Sequence, residues 1–461
     1  MNQLEGVMEW GGERNAGQAG GARVRRRLGV LGWAGWLLLL VAAPAAARQA
    51  GAEDGGAAGG VTPEAVERVA EEAAREAAAA VAGYDRGFYI RDGEGRSELR
   101  IGFLSQVRAV QSHRGEGAVP GSDEAITVGG YQLRRFQINL QGYFLGPRFT
   151  YRLRLDASNA GGVSAAWAWL GYQLSPVVDI RVGQNKPSFL HEEDVGAGNQ
   201  LAVERSYTAD YFTTKFAQGV QVNVRRNRLR FTGMLHNGSY GWRTDLDNES
   251  ARIGVSGRAE YLIGSTPSAG WSRYSDFSSW SGAAPVVIVG AAADYERGRN
   301  QGGVYRPDIT KWTGDVTAKF GAVALFGAII GQRFGVDPDA ADLPDGLDGA
   351  SQLGLVAQTG VFLVPNRLEV FGRYESIDFD GVYFRVNQGS VQGGSGPVAE
   401  DRLTALTLGG NYYFAGHNAK LTADAVVVGD PVPVANNGQG LLRSTGSGKQ
   451  LALRTQLQLS F

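Results

Sequence analysis

Several residue types that build common functional sites are missing or scarce in this chain of 461 residues. It has no cysteine, which excludes disulfides, thiol nucleophiles and cysteine metal sites. Its four histidines form no His-x-x-x-His pair and accompany no Gly-x-Ser-x-Gly motif, so we expect no metal, no cofactor and no catalytic role. The 45 basic and 46 acidic residues nearly balance, which argues against a nucleic-acid partner.

Long apolar runs are also lacking, with one exception near the start of the chain. Four arginines (Arg23, Arg25, Arg26 and Arg27) precede the apolar run Leu28–Ala43, and small residues follow it at Ala45–Ala47. This order predicts a signal peptide over residues 1–47, because a membrane-spanning helix would need about 20 apolar residues. Residues 48–60 are rich in Gly and Ala and predict a flexible linker.

What the chain does have is strict alternation of apolar and polar residues. In the last eleven residues, Leu451, Leu457 and Phe461 share one strand face while Arg454 and Gln458 share the other. A soluble sheet edge of this kind would invite aggregation, whereas a closed barrel has no edge. Alternation of this type is typical of strands that cross a membrane.

Counting such segments gives sixteen strands, the even number expected of a single-chain bacterial barrel. The predicted strands are 98–110, 130–144, 148–157, 164–174, 177–185, 215–226, 227–237, 250–263, 285–295, 311–320, 321–333, 351–364, 366–376, 401–414, 418–429 and 449–461. Short connections alternate with long ones at 186–214, 238–249, 334–350, 377–400 and 430–448. The predicted fold class is therefore all-β, a 16-stranded antiparallel transmembrane β-barrel over residues 84–461.

Arginine fixes which face of these strands looks outward. An arginine at mid-height on a lipid face costs about 2–4 kcal/mol. We therefore expect Arg152, Arg154, Arg252 and Arg258 to point into a wet interior, with their apolar neighbours facing lipid.

Several segments together resemble a known family, the phosphate-selective porins O and P of Gram-negative outer membranes. The segments that carry the resemblance are Gly87–Gly102, Tyr131–Phe136, Arg181–Phe189, Glu204–Ser206, Arg367–Tyr374 and Leu408–Phe414. The chain departs from the family pattern at Asn185 and Ser188, beside the expected constriction. The resemblance implies a sixteen-stranded, trimeric diffusion channel in the outer membrane whose third long loop folds inward.

A helix is predicted before the barrel, over residues 61–83, where it would be periplasmic. Thr62 can cap it, Pro63 suits its first turn and Gly83 can end it. Its small apolar residues follow a heptad spacing. Two interpretations stay open: a solvated helix without a partner, and a coiled coil that joins subunits.

A pore selects ions by the charges that line it, and arginine and lysine favour anions such as phosphate. The candidate pore-lining residues are Arg135, Arg152, Arg154, Arg181, Lys186 and Arg205. Each is alternatively a wall residue paired with Asp156, Asp179 or Glu204. Four carboxylates of the third long loop, Glu192, Glu193, Asp194 and Glu204, would weaken an anion preference if they faced the pore.

Aromatic residues near the strand ends allow two interpretations. Trp167, Trp169, Tyr172, Tyr412, Tyr413 and Phe414 are expected to anchor the barrel at the lipid interface, and the alternative places them inside the pore as a sugar-binding track. The predicted function is passive diffusion of small hydrophilic solutes, with a preference for anions such as phosphate. The alternatives are a structural or adhesive barrel with a closed lumen and an outer-membrane lipid hydrolase.

Overall fold

A computed structural model gives the fold of the chain. It describes residues 68, 81–85, 87–117, 124–157, 162–239, 253–298, 307–335, 349–381, 384–387, 390–393, 402–433, 436, 438–444, 446 and 448–461. The chain divides into two units, Met1–Ala70 and Glu71–Phe461, and the second contains everything described below except Arg68. The predicted signal peptide and linker lie outside the described residues.

The described residues contain sixteen antiparallel strands that form one closed barrel. These strands are β3 (Glu98–Arg114), β4 (Ile126–Tyr143), β5 (Phe149–Ala157), β6 (Val163–Ser175), β7 (Val178–Asn185), β8 (Ala217–Arg226), β9 (Leu229–His236), β10 (Ile253–Ile263), β11 (Val286–Arg297), β12 (Ile309–Phe320), β13 (Val323–Gly335), β14 (Gly349–Val364), β15 (Leu368–Asp378), β18 (Arg402–Tyr413), β19 (Ala419–Val428) and β20 (Gln450–Ser460). Each pairs with the next along the chain, and β20 closes the ring by pairing with β3. All sixteen predicted strands are confirmed to within a few residues at their ends.

Two small hairpins add to the barrel strands. β1 (Val81–Tyr84) and β2 (Phe88–Arg91) pair with each other, and β2 also pairs with the start of β3. The predicted helix was wrong at its C-terminal end, because Val81–Tyr84 is a strand; apart from Arg68, the rest of that helix lies outside the described residues. The second hairpin joins β16 (Phe384–Asn387) to β17 (Ser390–Gly393).

The connections separate into two rims, as predicted, with one exception. Short turns at one rim are 144–148, 176–177, 227–228, 321–322, 365–367 and 414–418. Asn227 and Gly321 make two of these turns with positive φ, a conformation open to Asn and Gly. The exception is the connection 264–285, which lies on this short-turn rim but is long enough to contain the helix α3 (Pro267–Ser272). The sequence gave no signal that it would differ from its neighbours.

The two faces of the wall differ sharply in polarity. In β20, Leu451 and Leu457 are 37% and 48% exposed, whereas Arg454 and Gln458 are almost fully buried. The same alternation runs through β11 to β15. Polar side chains therefore face the interior and apolar ones the exterior, the reverse of a water-soluble protein. No helix among the described residues is long and apolar enough to cross a membrane.

Two connections fold into the interior. The inward loop, residues 186–216, comes from the long-loop rim and carries α1 (His191–Asp194) and α2 (Tyr207–Phe212); the inward turn, residues 264–285, comes from the short-turn rim. The Asn199 side chain donates to the carbonyl of Ser275 at 3.0 Å, which joins the two segments. Their buried apolar residues pack with those of the surrounding strands. Together they fill the side of the barrel bounded by β10–β15 and β18–β20, here called the filled wall.

Candidate functional site

The remaining space lies between the inward loop and the strands β4–β9, here called the open wall. A cavity of about 1130 Å³ occupies it, and a second cavity of about 250 Å³ lies beside it. Five residues line both cavities: Arg134, Arg135, Glu193, Arg205 and Lys215. We call this shared boundary the neck.

Cations outnumber carboxylates around the larger cavity. Nine basic side chains line it: Arg134, Arg135, Arg152, Arg154, Lys186, Arg205, Lys215, Arg225 and Arg230. Four carboxylates do so: Asp156, Glu193, Asp194 and Glu260. Because opposite charges accumulate where like charges line a confined space, this excess favours anions within the cavity.

One side of the neck is built on Glu204. Its carboxylate accepts from Arg108 at 3.0 Å, from Arg134 at 2.6 Å and from Arg135 at 2.7 Å. Burial by itself would raise the pKa of Glu204, but Arg135, Arg134 and Arg108 outweigh it and hold that pKa well below its ordinary value. Glu204 therefore stays ionised and fixes three guanidinium groups in place.

The other side of the neck is built on Glu193 in the same way. Lys186 lies 2.8 Å and Lys215 2.9 Å from its carboxylate, and Arg205 lies 3.7 Å away. Burial opposes ionisation of Glu193, yet these three cations hold its pKa well below the ordinary range. Arg205 also donates to the carbonyl of Val195 at 2.7 Å. The neck thus carries two carboxylates, each surrounded by three cations.

The remaining carboxylates of the inward loop turn to partners within the loop. Glu192 accepts from the backbone N–H of Ser206 at 2.6 Å and from its hydroxyl at 2.7 Å, while that hydroxyl caps α2. Asp194 accepts from the hydroxyl of Ser188. The loop carboxylates therefore do not outweigh the cations, which answers a question that the sequence left open.

Farther from the neck, the open wall combines arginine with aromatic rings. The Arg152 guanidinium lies 4.3 Å from the Trp167 ring centre, and Arg154 lies 5.3 Å from that of Phe216. Arg154 also pairs with Asp156 at 2.8 Å. Arg152 donates to the side chain of Asn139 at 3.3 Å, and no carboxylate lies within 4.0 Å of it in the described part of the chain.

Five of the six predicted pore residues line the larger cavity: Arg135, Arg152, Arg154, Lys186 and Arg205. The sixth, Arg181, lies outside that lining, where it pairs with Asp179 at 2.9 Å and stacks on Trp169 at 4.6 Å. The alternative pairings with Asp156, Asp179 and Glu204 are also present. The wall arginines therefore have partners and still face the interior.

Sequence reasoning missed other cations of the site, namely Arg108, Arg134, Lys215 and Arg230. Arg134 was missed because alternation places adjacent residues on opposite faces. The pairing of β3 with β4 shifts at this point, with Gln106 opposite Arg135 and Val107 opposite Leu133. This β-bulge leaves Arg134 unpaired in the ladder and lets it reach Glu204 beside Arg135.

The interface interpretation was wrong for three of the six aromatic residues. Trp167 and Trp169 stack with interior arginines, and the Tyr413 hydroxyl donates to Glu369 at 2.5 Å in the interior. Tyr412 and Phe414 are exposed on the outer face, and the Tyr172 ring packs against the exposed Phe149. A shift in the pairing of β5 with β6, between Arg154 and Leu155, aligns Trp167 with Arg154.

Comparison with known proteins agrees with this geometry. Residues 120–284 match the model of the family described as phosphate-selective porin O and P. The family resemblance is confirmed over that region. It contains the open wall and both inward segments almost in full, so the family match covers the candidate site. The match supports an outer-membrane porin of a Gram-negative bacterium. No curated protein sequence matches the chain significantly.

Solved structures show the same fold at low identity. An anion-selective porin from Comamonas acidovorans superposes with a TM-score of 0.52 at 12% identity, covering 79% of this chain and 100% of that one. The outer-membrane channel DcaP of Acinetobacter baumannii gives 0.49 at 12%, covering 83% and 100%. OmpF of Salmonella typhi gives 0.46 at 14%, covering 82% and 100%. At these identities the likeness concerns the fold.

Proposed function

We propose that the protein is a passive outer-membrane channel for small hydrophilic solutes, with a preference for anions such as phosphate. The observation that carries this proposal is the cation-rich cavity between the open wall and the inward loop. Solutes would diffuse through it and pass the neck, where six cations surround two carboxylates. Rings of arginine and lysine favour anions in pores.

The exposed apolar faces of the strands support placement of the barrel in a lipid bilayer. Near the short-turn rim, exposed aromatic residues include Phe149, Phe320, Tyr412 and Phe414. Tyr131, Tyr295 and Trp312 are exposed in the half of the wall nearer the long loops. Two such bands are typical of barrels anchored at both lipid interfaces. In this arrangement the short turns face the periplasm and the long loops the outside.

The assembly stays part of the proposal. The family resemblance implies a homotrimer, and the predicted helix 61–83 would lie in the periplasm, where a heptad seam suits contact between copies. Cross-linking of the full chain in outer membranes tests this: we expect a trimer band, and a monomer alone would contradict the assembly without affecting the pore.

Two other functions compete with the channel, a closed structural barrel and a lipid hydrolase. The cavities favour a pore over a closed lumen. The family match and the fold indicate a channel rather than an enzyme. The described residues include no group of three or more His, Asp or Glu placed to hold a metal ion.

Single-channel recording in planar lipid bilayers tests the channel directly. The purified full-length protein should produce discrete, reproducible current steps in KCl. Absence of steps from protein that has folded correctly would favour the structural barrel. Release of fatty acid from phospholipid vesicles by the same preparation would favour the hydrolase.

A further inference from the structure

We propose that the larger cavity is a binding site for small aromatic carboxylates, which names a solute class for the channel and rests on the proposed function. Inorganic phosphate offers charge alone. The cavity offers charge together with aromatic surface, and a solute that carries both would use more of what lines it.

Three cation–aromatic stacks border the cavity. Arg152 lies over Trp167 at 4.3 Å, Arg154 over Phe216 at 5.3 Å and Arg230 over Trp271 at 4.0 Å. All six residues line the cavity. Trp167 comes from the open wall, Phe216 from the inward loop and Trp271 from the inward turn. Three separate parts of the chain therefore bring the same pairing to one space.

The rings are held firmly by their surroundings. The Trp271 indole N–H donates to the carbonyl of Asn227 at 2.8 Å, and the Trp167 and Phe216 rings meet edge to face at 5.6 Å. A ligand therefore meets a surface that is already organised, which reduces the entropy lost on binding.

Stacked arginine suits a carboxylate better than a free cation does. Stacking keeps the guanidinium plane fixed while its N–H groups stay available in that plane, where they match the two oxygens of a carboxylate. The aromatic ring of the ligand can then pack against Trp167 or Phe216 in an offset or edge-to-face arrangement. A carboxylate without a ring would gain only the first of these contacts.

Arg152 is the best placed to receive the carboxylate. Arg154 already pairs with Asp156, whereas no carboxylate lies within 4.0 Å of Arg152 among the described residues. A ligand carboxylate beside Arg152 would supply the missing partner without displacing an existing one. The adjoining ring of Trp167 would contact the ligand at the same time.

The size of the cavity fits this use. Small-molecule sites usually measure about 300–1,000 Å³, and this cavity measures about 1130 Å³. It accommodates an aromatic acid together with water, so that binding does not seal the pore. The adjacent cavity of about 250 Å³ offers much less room.

The test compares benzoate with cyclohexanecarboxylate, which has the same charge and a similar size but no aromatic ring. Each is added to single channels of the full-length protein in KCl, and the concentration that halves the chloride current is measured. We expect benzoate to reach half-block at about 2- to 12-fold lower concentration, the factor that one aromatic contact supplies. Inorganic phosphate, measured in the same way, should show no such advantage.

Variants locate the effect. Trp167→Leu should remove the difference between the two acids, each block being normalised to the chloride current of that variant. Arg152→Lys keeps the charge but loses the planar fork, and should weaken the benzoate block. Tyr172→Leu changes an aromatic residue of the same strand that faces outward, and should leave the difference intact.

The outcomes separate this inference from the proposed function. Equal half-blocking concentrations for benzoate and cyclohexanecarboxylate, or an unchanged difference in Trp167→Leu, would overturn the aromatic site and leave the channel standing. A wild-type protein without current steps would instead overturn the channel, and the site with it.

Discussion

The open and filled walls of the barrel use the same residue types in the same orientation for different purposes. In the filled wall, Arg258 makes two hydrogen bonds to Asp315, at 2.8 and 2.9 Å, and Arg454 makes two to Asp424, at 2.6 and 2.8 Å. Both arginines are about 1% exposed. In the open wall, Arg152 and Arg154 border a water-sized passage instead.

The difference comes from what covers each wall. The inward turn places Asp276 beside Lys319 and brings Ser278 to Glu369 at 3.0 Å, so the polar face of the filled wall becomes a buried network. Buried charges require partners, and the filled wall supplies them. The open wall has no such cover and keeps a surplus of cations. An inward arginine therefore becomes either a structural anchor or a pore charge according to the chain that packs over it.

The largest expected effect is loss of stability when an anchor pair is broken in the filled wall. Asp315→Asn leaves Arg258 buried with a weakened partner set, and we expect the free energy of unfolding to fall by about 3–5 kcal/mol. Urea unfolding in detergent micelles measures it. The matched control is Asp156→Asn, whose partner Arg154 borders the cavity, with an expected loss below about 1 kcal/mol. Equal losses in the two variants would contradict the distinction between the walls.

Acid should affect the neck only well below neutral pH. The lowered pKa of Glu204 stabilises the folded state at any pH above its ordinary value of about 4.3, and this stabilisation is lost as the pH falls through the folded-state pKa. Glu193 behaves in the same direction. We expect ion selectivity to stay constant between pH 8 and about pH 5. Selectivity that changed over this range would show that the neck carboxylates titrate near neutrality.

A smaller effect is expected from removing one open-wall charge. Arg152→Gln should lower the chloride-to-potassium permeability ratio about two- to fivefold, since a unit charge a few ångströms away contributes about 1 kcal/mol in water. Its stability should change little. The reversal potential in a KCl gradient reports the ratio. An unchanged ratio would remove Arg152 from the selectivity determinants.

The smallest effect is expected at the exposed end of a strand. Arg402 and Asp378 approach only to 4.0 Å, and both are largely exposed. Arg402→Gln should alter the free energy of unfolding by less than about 0.5 kcal/mol and leave the reversal potential unchanged. A selectivity change comparable to that of Arg152→Gln would show that position in the cavity does not decide selectivity.

The sequence predicted the barrel well because alternation and the cost of arginine in lipid are local signals. They gave the sixteen strands and the inward orientation of Arg152, Arg154 and Arg258. A period of two says which face a residue occupies, but not which segment packs over that face. The inward turn was missed for this reason, since a long connection carries no local mark of the direction in which it folds.

Departures from regular pairing explain the other misses. Arg134 reaches the neck through a bulge, and a second irregularity aligns Trp167 with Arg154. Bulges depend on how two strands pair, and neither strand reveals them alone. The hairpin of β1 and β2 was missed because each strand has only four residues.

The reversal potential of the wild-type channel in a KCl gradient tests the central claim most directly. That claim is that the open wall presents an excess of positive charge to passing solutes. We expect a potential of the sign given by faster chloride movement. A cation-selective potential would contradict the claim, because it would mean that the carboxylates of the cavity, and not its nine basic residues, govern passage.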